Sequence, residues 1–352
     1  MAEAPTAAAG PEPATAPRPW TQGWVDALPL APAWIGCAVA FGHVLLGALY
    51  FAVFVAPHLG ALWAAYQDVV LSTCVFGLVS GYAVAALAYA RRGHATALRD
   101  LRPVLACNEA ERSALERGVL GFDMAALRRT GLVFAIGAVA VTYFSTSVNQ
   151  RYGEPAMLWV LWQNGLGFWL LVRTIEHDLR ISVLLSRAAQ RHAEIELFDL
   201  TPLAPLARRG LQSALLILLA LSFFSLILGA GDISPVVPVI QVATVLLAAF
   251  ALVLPSIGVR RRVRDAKREE LTRIAAQIRT VRAPHAASGG PELRERESRL
   301  ATLLALKQHV ETTREWPFDL GTLGRFLLYA GIGVGSWLGG ATVERLLDLV
   351  LG

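Results

Sequence analysis

Long uncharged apolar runs, separated by arginine-rich segments, dominate this sequence. Of the 32 lysines and arginines, 29 fall in three segments, at residues 91–129, 173–209 and 260–325. About 20 apolar residues of helix are needed to cross the roughly 30 Å hydrocarbon core of a bilayer. Multi-spanning proteins keep their basic residues on the cytoplasmic side. The pattern therefore predicts an all-α integral membrane protein with a fixed orientation.

The apolar runs predict seven transmembrane helices. Six belong to a membrane domain at residues 31–258, and the seventh lies within residues 315–352. Keeping the three basic segments inside requires an odd number of crossings. The preference for arginine over lysine, 30 to 2, is typical of a GC-rich bacterial genome. We therefore expect a multi-pass protein of a bacterial inner membrane, with the N-terminus cytoplasmic and Gly352 exoplasmic.

The remaining segments predict a tail and a cytoplasmic helical layer. Residues 1–30 are rich in Ala and Pro and have the composition of a disordered tail. The segments 91–129 and 173–210 are polar but keep apolar residues at helical spacing, which predicts cytoplasmic helices. Residues 259–314 predict a cytoplasmic helical hairpin, each arm of which needs a coiled-coil-like partner to be stable.

The last apolar run is unusually rich in glycine. Gly331, Gly335 and Gly339 repeat every four residues and share one helix face, where a second backbone can approach closely. That face is open to three interpretations: packing within the subunit, self-association or pore lining, and a broken re-entrant segment. Glu344 and Asp348 lie one turn apart beyond it. They are candidate pore-mouth charges in an oligomer or, alternatively, part of a solvated helix end.

Four polar residues interrupt the apolar spans: His43, Gln163, Asn164 and Gln241. Polar groups inside a membrane are functional candidates by default. They act either as hydrogen bonds between helices, worth about 1 kcal/mol each, or as the lining of a wet path. His43 is either internally bonded or part of a proton relay. The centres of the first six spans carry no charged residue, which disfavours an ion-coupled transporter.

An elbow of Trp316, Pro317 and Phe318 precedes the last span. Pro317 prevents the preceding helix from continuing undisturbed, and the aromatic side chains suit the membrane interface. The elbow is either an interfacial anchor or the joint through which the cytoplasmic segment acts on the last helix.

The sequence predicts no catalytic, cofactor-binding or metal-binding residues, and hence no enzyme. Glu176, His177 and Asp178 are consecutive residues of one helical turn and point in different directions. His192 lies further along, and no zinc, phosphate-loop or nucleophile motif is present. The basic charge fits retention at a membrane and attraction to anionic lipid. The expected partners are membrane lipids and further copies of this chain, with no nucleic acid.

Two resemblances follow from these features. The stretch 315–319, Glu-Trp-Pro-Phe-Asp, and the stretch 336–348, Ser-Trp-Leu-Gly-Gly-Ala-Thr-Val-Glu-Arg-Leu-Leu-Asp, are similar to an uncharacterised family of bacterial multi-spanning proteins, which brings no known activity. The seven-helix plan with a cytoplasmic anchor resembles insect chemoreceptor-type ion channels, in which the last helix lines a tetrameric pore. No motif matches that second family, so it implies no pore residue here.

These observations favour an oligomeric membrane channel or pore-like transport protein whose last helices meet around an axis. The alternative is a membrane scaffold or sensor that recruits a cytoplasmic protein through residues 259–314 and transports nothing. A membrane enzyme acting on lipid has little support, because no catalytic constellation is visible.

Overall fold

The computed structural model describes Val25, Leu28 and residues 30–55, 63–121, 123–144, 154–228, 236–283, 290–316 and 321–332. This part of the chain is helical apart from its connections, and one isolated β-bridge joins Leu105 to Ala193. The predicted all-α architecture is confirmed.

Ten helices contain most of the described residues. They are α1 Pro32–Tyr50, α2 Trp63–Leu101, α3 Glu109–Leu120, α4 Met124–Phe144, α5 Glu154–His192, α6 Ala204–Leu228, α7 Val236–Val253, α8 Ile257–Arg282, α9 Gly290–Thr312 and α10 at 321–332. A π-helical turn, Phe51–Val55, extends α1. Three short 3-10 turns lie at Arg102–Val104, Thr201–Leu203 and Leu254–Ser256.

Six stretches of these helices are long and apolar enough to cross a membrane, which indicates a membrane protein. They are Pro32–Val55, Val69–Val104, Glu109–Phe144, Pro155–His192, Thr201–Ala220 and Gln241–Arg282. The surface agrees, because Phe41, Val141 and Leu246 are each more than 60% exposed and would face lipid. Helix α10 is the described start of the predicted seventh span. Residues 333–352 lie outside the described residues, so the count of seven stays a prediction.

Close helix contacts depend on a few glycines. Helices α1 and α2 cross where Gly36 and Gly81 face each other, and a Cβ atom added to Gly36 would lie 2.7 Å from the Gly81 carbonyl oxygen. Gly210 of α6 lies against the Leu252 carbonyl of α7 in the same way. Helix α2 also packs on α5 and α6, and α4 packs on α5. Helices α2 and α5 are therefore the centre of the bundle.

The arginine-rich segments meet at one end of the bundle, which we call the basic end. Helix α5 runs without interruption for 39 residues and carries the apolar stripe of the fourth span into this end. At its start, α8 crosses α5 so closely that the Gly258 amide donates to the Ser186 hydroxyl at 2.9 Å. A hydrophobic core that includes Leu185, Leu206 and Val263 fills the space between them.

Helices α8 and α9 lie antiparallel at the basic end. Lys267, in the first half of α8, donates to the carbonyl of Glu311, near the end of α9, at 2.6 Å. Arg296, near the start of α9, donates to the Val281 carbonyl at 2.8 Å, near the end of α8. The connection at 284–289 lies outside the described residues, so the predicted hairpin turn stays a prediction.

Candidate functional site

Three buried polar side chains from three different helices meet at the basic end and form what we call the ionic cluster. They are His94 of α2, Asp178 of α5 and Arg209 of α6, and they are 0%, 4% and 1% exposed. An isolated buried charge is strongly unfavourable, so buried ions are paired and hydrogen-bonded. The positions of three helices are therefore linked through this cluster.

Arg209 contacts both of the other members. Its Nε atom donates to His94 Nδ1 at 3.0 Å, and its Nη2 atom donates to Asp178 Oδ1. The His94 Nε2 atom lies 3.2 Å from the same carboxylate oxygen. A further donor, Nη1 of Arg209, lies 3.2 Å from the side-chain oxygen of Gln212.

The hydrogen-bond network defines the charge of the cluster. A guanidinium has donors only, so His94 Nδ1 must be the acceptor and the ring proton is on Nε2. The Nε2–H group then donates to Asp178, and Arg209 Nη2, which also lies 3.0 Å from His94 Nε2, donates to the same carboxylate and not to the ring. Asp178 and Arg209 carry opposite charges. The ionic cluster is therefore neutral overall.

A glycine makes room for the buried guanidinium. A Cβ atom at Gly93 would lie 2.8 Å from Arg209 Nη1 and 2.9 Å from the Gln212 side-chain oxygen. The residue beside His94 thus has no side chain where the arginine must lie. The arrangement suits a fixed joint between helices, in which any displacement of α6 along α5 would separate opposite charges in a buried environment.

The sequence prediction missed this cluster. From the sequence, Asp178 is one of three polar residues in a helical turn, and Arg209 is one basic residue of the segment 173–209. In the structure, Leu206 and Ser213, three residues before and four after Arg209, lie on the buried face of α6. That helical phase places Arg209 inside the bundle and Arg208 outside it.

Two of the four predicted intramembrane polar residues come together in a second cluster, which we call the His43 cluster. The His43 ring packs against two neighbouring indoles, with centroids 5.7 Å from Trp159 and 5.5 Å from Trp162. Gln163 of α5 faces the same ring and donates to the Ser72 hydroxyl of α2 at 2.7 Å. Helices α1, α2 and α5 thus share a polar site inside the membrane domain.

Two polar atoms of the His43 cluster have no hydrogen bond of good geometry among the described residues. They are the His43 Nε2 atom and the Gln163 side-chain oxygen, in side chains only 6% and 0% exposed. A buried polar atom without a hydrogen bond is costly. The chemistry of the cluster suits a water molecule or small polar ligand that bonds to both atoms.

The other two intramembrane polar residues lie elsewhere. Asn164 donates to the Val160 carbonyl of its own helix at 2.8 Å. Gln241 is buried near the start of α7, on a helix that contributes nothing to the His43 cluster. Neither residue contributes to a shared polar path within the described part of the chain.

Of the residues predicted to be important in the last helix, only Gly331 is among the described residues. Gly331 lies in α10, and a Cβ atom added there would meet no described heavy atom within 4 Å. Gly335, Gly339, Glu344 and Asp348 lie outside the described residues.

Of the elbow, Trp316 is described, and Pro317 and Phe318 are not. The Arg260 guanidinium of α8 lies 4.4 Å from the centroid of the Trp316 ring, and its Nε atom lies 3.8 Å from a Glu315 carboxylate oxygen. The elbow is therefore attached to the first turn of α8.

A groove of about 570 Å³ opens between α4, α5 and α7 near the basic end. Its walls are mainly apolar and include Phe134, Leu247 and Phe250, and its charged lining residues are Glu176, Arg180 and Arg187. Apolar walls with charged groups beside them suit an amphiphile such as a membrane lipid.

For this chain, no protein-family model, curated protein or solved structure gives a match.

Proposed function

We propose that this protein is a homo-oligomeric membrane channel in which α10 and its continuation face a central axis. Helix α10 packs on α6 and α7 through Phe326 and Ala330, which are 6% and 8% exposed. Its opposite face carries Gly324 and Gly331, seven residues apart and hence at the same angle around the helix. One side of α10 is thus held by its own subunit, while the described part of the chain places no atom against the glycine side.

The main support for the proposal is that no described atom packs against Gly324 and Gly331 of α10. A Cβ atom at Gly324 or Gly331 would have no described heavy atom within 4 Å. By contrast, Gly36, Gly81 and Gly210 all lie against a backbone carbonyl of a neighbouring helix. Glycine weakens a helix by roughly 0.5–1 kcal/mol relative to alanine. A contact between copies of α10 would explain glycines against which no described residue of the same subunit packs.

The attachment of the elbow supports a gating role for the basic end. Trp316 lies on Arg260 of α8, and α8 lies on α5 at Gly258. The ionic cluster connects α5 to α2 and α6. A rearrangement of α8 and α9 would reach α10 through this chain of contacts. The extended α5 and α8 are also the feature that resembles the cytoplasmic anchor of insect chemoreceptor-type channels.

The test compares Gly331→Leu with Gly137→Leu. Gly137 of α4 is equally open in the monomer, with no described heavy atom within 4 Å of an added Cβ. We expect Gly331→Leu to lower oligomer formation and ion flux at least tenfold, and Gly335→Leu to do the same, because the added side chains separate adjacent backbones. Gly137→Leu should leave both unchanged. The measurements are native mass spectrometry and flux in proteoliposomes.

Two results would reject the channel. One is wild-type flux in a fully assembled Gly331→Leu protein, and the other is the absence of flux from an assembled wild-type protein under all ionic conditions tried. The second result would favour the scaffold or sensor, for which the half-exposed Leu304 on α9 is an available apolar contact for a partner.

A further inference from the structure

Three side chains with metal-binding atoms converge where α3 begins and α5 ends. The Cys107 sulfur, a Glu111 carboxylate oxygen and a His192 ring nitrogen all lie within 4.8 Å of one another. The His192 Nδ1 atom is 3.8 Å from Glu111 Oε2. His192 is 81 positions after Glu111 in the chain. No local sequence motif can therefore reveal this group.

Backbone hydrogen bonds hold Cys107 and His192 side by side. The Ala106 amide donates to the His192 carbonyl at 2.8 Å, and the Glu194 amide donates to the Val104 carbonyl at 2.9 Å. The bridge between Leu105 and Ala193 belongs to the same pairing. A metal site requires ligand positions that are precisely fixed. Hydrogen-bonded backbone fixes them better than a free loop does.

A capping box at the start of α3 fixes the position of Glu111. Glu111 is the third residue of α3, and its carboxylate accepts from the Asn108 amide at 3.0 Å, while its own amide donates to the Asn108 side chain at 2.8 Å. This reciprocal capping box places the carboxylate at the helix start. Buried side chains below the group, Leu105 and Ala193 among them, belong to the hydrophobic core of the basic end.

The geometry points to a zinc site, and we propose that Cys107, Glu111 and His192 bind one Zn²⁺ ion. Sulfur, imidazole and carboxylate are the three ligand types that zinc accepts, whereas Ca²⁺ and Mg²⁺ prefer sets of oxygen atoms. Bond lengths of about 2.0–2.3 Å place tetrahedral ligand atoms about 3.3–3.8 Å apart. The three atoms already lie within 4.8 Å of one another, so each separation exceeds that spacing by about 1 Å or less.

The position of the site defines its role. Glu111 is exposed, and Cys107 and His192 are half-buried, so the fourth ligand position faces solvent and suits a water molecule. The ion would fasten the start of α3 to the end of α5. Zinc would thus stabilise the basic end from its surface. This inference is independent of the channel proposal, because it requires neither an oligomer nor a pore.

The test uses the full-length protein in detergent, treated with a chelator under reducing conditions and titrated with Co²⁺. A cobalt–thiolate bond gives a near-ultraviolet charge-transfer band, which Zn²⁺ should remove when added in equimolar amount. We expect one ion per chain, loss of the band in Cys107→Ser, and a loss of affinity of at least about tenfold in His192→Gln. Zinc should raise the unfolding temperature of the wild type and not that of Cys107→Ser.

Two control variants make the result specific. Cys74→Ser removes a cysteine of α2 outside the group, and Glu109→Gln removes an exposed carboxylate from the same turn of α3. Both should keep the band and the affinity, with the far-ultraviolet circular dichroism of all variants matching the wild type. A wild-type protein without the band, or a Cys107→Ser protein that retains it, would overturn the proposal. The first result would leave only an ion pair between Glu111 and His192.

Discussion

At the scale of the residue, Arg208 and Arg209 show how one position along a helix changes the role of a side chain. Arg208 is exposed, while Arg209 is 1% exposed and contacts His94, Asp178 and Gln212. Removing one member of a buried ion pair leaves an uncompensated charge, which costs about 3–5 kcal/mol. Replacing an exposed arginine without such contacts changes the free energy of unfolding by no more than about 0.5 kcal/mol.

The prediction compares Arg209→Met with Arg208→Met. We expect Arg209→Met to lower the free energy of unfolding by about 3–5 kcal/mol, because Asp178 stays buried without its cation. Arg208→Met should stay within about 0.5 kcal/mol of the wild type. The measurement is denaturant unfolding in detergent micelles. Adding Asp178→Asn to Arg209→Met should recover part of the loss, and equal stability of the two single variants would contradict the ionic cluster.

Residue periodicity predicts which side chains lie inside a span, but it does not predict which distant residues meet. His43 and Gln163 were identified separately because each is polar in an apolar run, and the structure places them around one site. His94 and Cys107 lie in polar segments, where a histidine or a cysteine is not unusual. Their partners become evident only when α2, α3, α5 and α6 are packed together.

At the scale of the element, helix positions follow from the sequence more readily than helix contacts do. Apolar runs of about 20 residues locate the spans, and the stripe beyond the fourth run predicts the continuous α5. The crossing of α1 and α2 at Gly36 and Gly81 was not predicted, because each glycine lies in a run with several other small residues. Only the relative rotation of the two helices determines which glycine is used.

The second prediction compares Gly81→Ala with Gly42→Ala. A Cβ atom at Gly81 would lie 2.9 Å from the Ala40 Cβ atom and overlap the Gly36 carbonyl, whereas one at Gly42 would meet no described heavy atom within 4 Å. Overpacking costs about 1–3 kcal/mol, and replacing glycine by alanine within a helix gains up to about 1 kcal/mol. Gly81→Ala should therefore lower stability and Gly42→Ala should maintain or raise it. Unfolding in mixed micelles measures both, and a gain in both variants would show that α1 and α2 do not cross at Gly81.

At the scale of the whole molecule, the charges of α8 and α9 restrict how the chain crosses the bilayer. Residues 260–314 contain 14 basic and 7 acidic side chains. Moving one elementary charge across a potential of 100 mV costs about 2.3 kcal/mol, and anionic lipid attracts each basic residue near the cytoplasmic surface by about 1 kcal/mol. This segment is therefore expected to stay inside. The chain must cross once more after it if Gly352 is to lie outside.

The third prediction tests that last crossing with single cysteines in a variant that lacks Cys37, Cys74 and Cys107. A membrane-impermeant maleimide should label Gly352→Cys in intact cells, because seven crossings place residue 352 on the exoplasmic side. Ser288→Cys, between α8 and α9, should be labelled only after the membrane is permeabilised, because the basic residues around it hold it inside. Quantitative mass spectrometry of the labelled protein gives both yields. Equal labelling of the two positions in intact cells would place them on the same side of the membrane and rule out the seventh crossing. Glu344 and Asp348 could then not lie at an exoplasmic pore mouth.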